Sequence, residues 1–261
     1  MVDFFDLIQN HLAAFLIILS RTTGIFMLSP FFGSMNIPTQ IKAASAISIA
    51  AILYPVVDTP VEIPADVWNY ALMLCEEILI GWLIGFVGAA ALSAINMAGK
   101  VMDMQVGYAV VNVMDPTSGQ QIALIGSFMY NLAILIMLVV NGHHIILSAL
   151  AESFNIVPLA TAQYNVELSS LIGDVTGAIF MTGMKIAMPV TFAILMVNVG
   201  MGILARTMPQ MNIFVIGIPL HLFLGTGVLM MLMPFYVLFL DVIFNDMYGN
   251  ISLAIKAMAG V

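Results

Sequence analysis

Five ionisable side chains, Arg21, Glu76, Glu77, Lys185 and Arg206, lie in or beside long apolar runs, where a charge costs at least a few kcal/mol once it is in hydrocarbon. Such groups either build a proton or ion path or pair with one another and with partner subunits in a polar packed core. A proton path needs several acids and histidines on one helix face, whereas Glu76 and Glu77 are adjacent and point about 100° apart on a helix. Pairing is the reading that this spacing favours. His143 and His144, with Glu152 eight residues later, invite a metal hypothesis. Helical zinc sites need histidines at i and i+4, and adjacent imidazoles reach one ion poorly, so a helix boundary with hydrogen-bonded imidazoles is the expectation. Ser118 has no nucleophile-elbow pattern around it, and no Gly-rich phosphate loop leads into Lys and Ser or Thr. No cofactor, no metal and no enzyme activity are expected.

The elements that hold these residues are apolar helices. The chain has 261 residues, of which 62% are hydrophobic and 8% charged, with mean hydropathy +1.10; a soluble domain carries about 25% charged residues. This composition defines a polytopic membrane protein. Asp3 and Asp6 precede the first apolar run and no Lys or Arg does, which predicts a retained span in place of a cleaved signal peptide. Cys75 is the single cysteine, so intrachain disulfides and cysteine metal clusters are excluded. Fourteen acids against six bases give a net charge of −8, and nucleic acid, which needs clustered Lys and Arg, is excluded as a partner.

Six runs approach the roughly 20 residues needed to cross hydrocarbon: Leu12 to Leu28, Ile41 to Val57, Tyr70 to Ile95, Ile122 to Val140, Val175 to Ala205 and Ile213 to Leu240. Pro30 and Gly33 end the first, and Pro189, Pro219 and Pro234 bend the last two. Gly81 and Gly85 have the small-xxx-small spacing that lets helix backbones approach, so the third run requires a helical neighbour. A second polar loop is expected from Thr161 to Asp174, and a short tail from Asp241. Lys42, Lys100 and Arg206 follow the first, third and fifth runs, against Lys256 alone on the other side, which predicts termini outside the cytoplasm.

Between the third and fourth runs, residues 97–121 read MAGKVMDMQVGYAVVNVMDPTSGQQ. Irregular backbone at membrane depth must line water or be buried in protein. Met97, Met102, Met104, Met114 and Tyr108 make it either a deformable apolar gasket that closes a pore or a re-entrant loop that fills the core. The fold expected is an all-α integral membrane protein of about six long, kinked helices arranged as hairpins with a re-entrant loop. A self-contained secondary transporter, binding substrate near Glu76, Glu77 and Lys185 at broken helices, is the alternative from another class.

Several marks in order along the chain resemble one family. These are Arg21 with Pro30, Gly33, Pro38 and Lys42; Glu77-Ile78 with Gly81 and Gly85; Gly99, Asp103, Gln105, Gly107, Asp115 and Pro116; Gly142-His143-His144 with Ser153-Phe154 and Pro158; and Lys185 to Pro189 running into Arg206, Pro209-Gln210-Met211-Asn212 and Phe214. Together they resemble the FliR family of flagellar type III export gate proteins, whose injectisome relatives are the SctT proteins. His221 stands where a basic residue is expected, and Gln120-Gln121 is more polar than the family's loop.

The resemblance implies a core subunit that assembles with FliP and FliQ into a helical hetero-oligomeric channel for unfolded flagellar proteins, contacted by FlhB and FlhA, in the inner membrane at the flagellar basal body. It implies a pore plug over 102–121, with Met102, Met104, Gly107, Tyr108, Met114, Asp115, Pro116 and Gly119 as its residues. It further implies a FliP-like part over 1–174 and a FliQ-like hairpin over 175–246, whose turn at Arg206, Pro209, Gln210, Asn212 and Phe214 faces FlhB. Arg21, Glu77 and Lys185 would then be buried charges that serve assembly. The helices would pack largely on neighbouring subunits.

Overall fold

The computed structural model describes residues 4–34, 37–57, 64, 66–108, 123–210 and 212–260. The regular elements among them are α-helices: α1 (Phe4–Leu28), α2 (Thr39–Leu53), α3 (Val67–Val106), α4 (Leu124–Val139), α5 (Gly142–Ile156), α6 (Val166–Thr207) and α7 (Ile213–Ala259). Four of these, α1, α3, α6 and α7, are long and apolar enough to cross a membrane, or five spans result if α4 and α5 form one broken crossing. The protein is an all-α membrane protein. It has fewer separate spans than the six expected, because α2 has only 15 residues and Asn141, in the left-handed region at φ 57, divides α4 from α5.

Three elements are longer than the apolar runs suggest, and one cause explains all three: polar residues on the outer face of a continuous helix read as loop. Helix α3 continues through 97–106 because Ala94, Ala98, Met102 and Val106 recur at every fourth residue and are all buried, a helical stripe. Lys100 and Gln105 lie outside that stripe. Residues 166–174 open α6 instead of forming a loop, since the Asn165 side chain accepts a hydrogen bond from the Leu168 N–H at 2.9 Å, an N-cap. The expected tail after Asp241 is helix to Ala259. Ile243, Phe244, Met247, Ile251, Ala254, Ile255 and Met258 form its buried stripe, and its last turn is tied to the chain before α6 by Asn165 Nδ2 donating to Ala257 O at 3.1 Å and Gln163 N donating to Met258 O at 2.8 Å.

The chain divides into two compact units. The first comprises Met1–Ala90, Met137–Val175 and Asn245–Val261, and the second Ala91–Ile136 and Thr176–Phe244. In the first unit, α1 and α3 cross at Gly24 and Gly81. A Cβ at Gly81 would fall on the Arg21 carbonyl oxygen, and one at Gly24 would lie 3.0 Å from Gly81 Cα. This is the neighbour that the glycine spacing requires, and the close approach sets Arg21 of α1 beside Glu77 of α3. In the second unit, the five-residue link 208–212 joins α6 to α7. Such a short link makes the two helices antiparallel neighbours, and a Cβ at Gly217 would meet Met201 Cε.

Candidate functional site

Asp103 stands near the end of α3, inside the segment that the sequence singles out and one turn before Gly107. Its side chain is 4% exposed, and its Oδ1 and Oδ2 accept hydrogen bonds from Ile125 N at 2.9 Å and Gly126 N at 3.1 Å. Helix α4 begins with unpaired N–H groups, and the residues before it, Gln121-Ile122-Ala123, offer no Ser, Thr, Asp or Asn at the capping position. Asp103 supplies the missing cap from the other end of the loop, and its carboxylate also meets the positive end of the α4 dipole. Beside it the backbones of α3 and α4 touch, since a Cβ at Gly99 would fall on Gly126 Cα. The two ends of residues 107–122 are thereby held together by a carboxylate and a glycine pair.

The loop's first residues are also fixed. Gly107 has φ +98, a conformation that an L side chain rarely adopts, and its N–H donates to Asp103 O at 3.1 Å. Tyr108 OH lies 3.4 Å from Thr226 Oγ1, and a Cβ at Gly225 would meet Val106 Cγ2 at 2.5 Å. Of the residues expected in the plug, Met102 belongs instead to the packed face of α3, 1% exposed, and Met104 is 72% exposed on the same helix; period 3.6 separates side chains two apart. Gly107 and Tyr108 stand at the loop's neck. Met114, Asp115, Pro116 and Gly119 lie outside the described residues.

The second constellation is built on Arg21 and Glu77, both fully buried. The guanidinium donates to Glu77 through Nε at 2.6 Å and Nη2 at 3.1 Å, a two-pronged pair. Its Nη1 donates to Ser153 O at 2.9 Å, Ser153 Oγ at 3.3 Å and Val157 O at 3.0 Å, two carbonyls and a hydroxyl at the C-terminal end of α5, where Ser153 O also accepts the Val157 N–H. The plane also stacks on Phe154, with Cζ 4.3 Å from the ring centroid. Glu77 Oε1 accepts a further bond from Ala160 N at 2.9 Å, where Ala160 sits at φ 57. Three helices and the link after α5 converge on one ion pair, and every polar atom in it has a partner. The arrangement can hold helices together. Burial raises the phenol of nearby Tyr164 above its ordinary value, and the Glu76 and Glu77 carboxylates add to that rise.

Lys185 differs from the expected buried charge: it is exposed on α6, two residues from the buried Ala187. Arg206, Pro209, Gln210 and Asn212 are exposed around the link between α6 and α7, and Phe214 lies in the first turn of α7. His143 and His144 occupy the first turn of α5 with ring centroids 4.3 Å apart. The expected hydrogen-bonded imidazole is corrected for His143, whose buried Nδ1 has no partner among the described residues and whose ring packs on Phe31. Among the described residues no three His, Cys, Asp or Glu side chains converge as metal ligands do.

The profile of bacterial export proteins, family 1, matches residues 12–247, a range that takes in both constellations, all of α6 and most of α7. The chain belongs to the FliR family of bacterial export proteins. The flagellar biosynthetic protein FliR of Bacillus subtilis is 32% identical over 248 residues, covering 94% of this chain and 93% of that one. FliR of Pectobacterium carotovorum is 29% identical over 89% of this chain and 88% of its own length, and FliR of Escherichia coli is 28% identical over 90% and 89%. Membership in an export family accords with a membrane location. Sequence reasoning named Asp103 only as part of a resemblance. The uncapped start of α4 was the physical signal that some distant carboxylate had to serve it.

Proposed function

We propose that the chain is a core subunit of the flagellar type III protein export gate, forming with FliP and FliQ the inner-membrane channel through which unfolded flagellar proteins leave the cytoplasm. The observation that carries this reading is the agreement with FliR proteins along nearly the whole chain together with the clamped neck at Asp103 and Gly99–Gly126. A pore closure needs a deformable segment on a rigid base. Here the segment is 107–122, with Met114, three Val and two Gly, and the base is the capped junction of α3 and α4. With Met102 and Met104 on α3, the plug's own residues are Gly107, Tyr108, Met114, Asp115, Pro116 and Gly119.

The hairpin is the assembly element in this reading. Only 17% of the apolar window of α6 and 22% of that of α7 are buried. Phe180, Met184, Met188, Phe192, Leu195 and Val199 form an exposed stripe at helical spacing along α6, an area that needs protein or lipid against it. Residues 175–246 would serve as a FliQ-like hairpin beside a FliP-like part, with Arg206, Gln210 and Asn212 at its tip presented to FlhB, FlhA further along the substrate path, and the termini on the periplasmic side.

Deleting Val110 to Ser118 tests the plug. The assembled complex is expected to form while ion leakage across the membrane rises, read as conductance in planar bilayers or as sensitivity of growing cells to small solutes. Unchanged leakage from an assembled mutant complex would remove the plug role.

A further inference from the structure

The end of α3 is held from a second side, by a helix of the hairpin. Val106, the last residue of α3, is fully buried and lies directly over Gly225 of α7. A Cβ at Gly225 would meet Val106 Cγ2 at 2.5 Å, Cγ1 at 2.9 Å and Cβ at 3.2 Å, so the whole isopropyl group rests on bare backbone. Val is β-branched and has one strongly preferred rotamer in a helix, which leaves it no way to turn aside from a larger neighbour. Two residues on, the Tyr108 hydroxyl lies 3.4 Å from Thr226 Oγ1, and either group can donate. Gly107, at φ +98, stands between them. The residue with the backbone that an L side chain rarely adopts is thus flanked by contacts to two adjacent positions of α7, all within one compact unit.

Asp103 and the Gly99–Gly126 approach tie the neck to α4. A segment tied to a single helix can still pivot about that tie, whereas a second support on another helix fixes the direction in which the chain leaves. Displacing Val106 also disturbs the adjoining Gly107 N–H, which donates to Asp103 O at 3.1 Å. We propose that Gly225 and Thr226 are positioning residues for the pore closure, holding the neck at Val106 and Tyr108 so that the closing segment starts in a set direction. The hairpin then has a part in closure as well as in assembly. This role rests on the reading of 107–122 as that segment.

Amide hydrogen exchange at Gly107 in the full-length protein tests the contact, and ion leakage through the assembled complex tests its role. Gly225→Ala should speed exchange at Gly107 roughly tenfold, the scale of an overpacked side chain. Ala is otherwise the better helix former, so Tm should not fall, and a change confined to the neck separates the contact from the stability of α7. Adding Val106→Ala, which removes both Cγ atoms, should return most of the protection. Tyr108→Phe and Thr226→Val should each speed exchange about twofold, and together no more than either alone, since they remove one contact. Leakage should rise with Gly225→Ala and fall again when Val106→Ala is added, with the deletion of Val110 to Ser118 measured alongside. Unchanged exchange in Gly225→Ala, or no recovery from Val106→Ala, would overturn the proposal. Tight Gly225→Ala complexes beside a leaking deletion would overturn it too, while the closure itself stood; a deletion that does not leak would end both. Should Gly225→Ala fail to assemble, Tyr108→Phe and Thr226→Val decide alone, and tight complexes from both would count against the proposal.

Discussion

Arg21 and Lys185 are both cations set in apolar helices, and the chain treats them in opposite ways. Arg21 is enclosed by Glu77, Ser153, Phe154 and Val157, all within one compact unit. Lys185, on the hairpin of the other unit, is exposed with no described partner. A buried charge is tolerated only when paired and hydrogen-bonded, and the Arg21 site meets that condition within its own unit. The hairpin is incomplete, and its exposed apolar stripe and flanking cations require something beyond this chain. That contrast separates residues that make the fold from residues that serve assembly and the membrane.

The largest expected effect comes from breaking the enclosed pair. Arg21→Ala leaves the Glu77 carboxylate buried and uncompensated and strips the end of α5 of its donors, a loss of about 3–5 kcal/mol. Thermal unfolding in detergent should show a large drop in Tm, while Arg21→Met combined with Glu77→Leu should recover much of it. If the single variant were as stable as the parent, the role of this pair in holding α1, α3 and α5 together would be refuted.

A smaller effect is expected at the loop's neck. Asp103→Ala removes a helix cap worth about 1 kcal/mol, so amide exchange at Ile125 and Gly126 should speed up with only a modest change in Tm. Unaltered exchange at those two amides would show that Asp103 does not hold the loop's base. The smallest effect belongs to the hairpin tip. Arg206→Gln should leave the Tm of the isolated chain unchanged, as a substitution at an exposed position does, while reducing motility of a strain that depends on the variant. A clear loss of stability would mean that the tip is part of the fold.

The difference between the regions also governs what the sequence made legible. Breaks at Pro30, Gly33, Asn141 and the 208–212 link were readable because Pro, Gly and a left-handed Asn act locally. The Gly81 spacing announced a close helix crossing. Helix ends were not readable where Lys100, Gln105, Glu167 and Asp174 sit on outward faces, because a polar residue outside a buried stripe looks the same as a loop residue. The partners of Arg21 were out of reach for another reason. Ser153 and Val157 lie 132 and 136 positions away and contribute backbone carbonyls, which any residue type supplies. Asp103 was a middle case, since an uncapped helix start demands a partner without naming it.

The central claim is that this chain works only as a part of a larger export channel. Native mass spectrometry of the protein co-expressed with its chromosomal neighbours and extracted in mild detergent tests it most directly. The account predicts one copy of this chain inside a large complex with two other hydrophobic proteins. A stable monomer or homodimer that binds neither of them would contradict it.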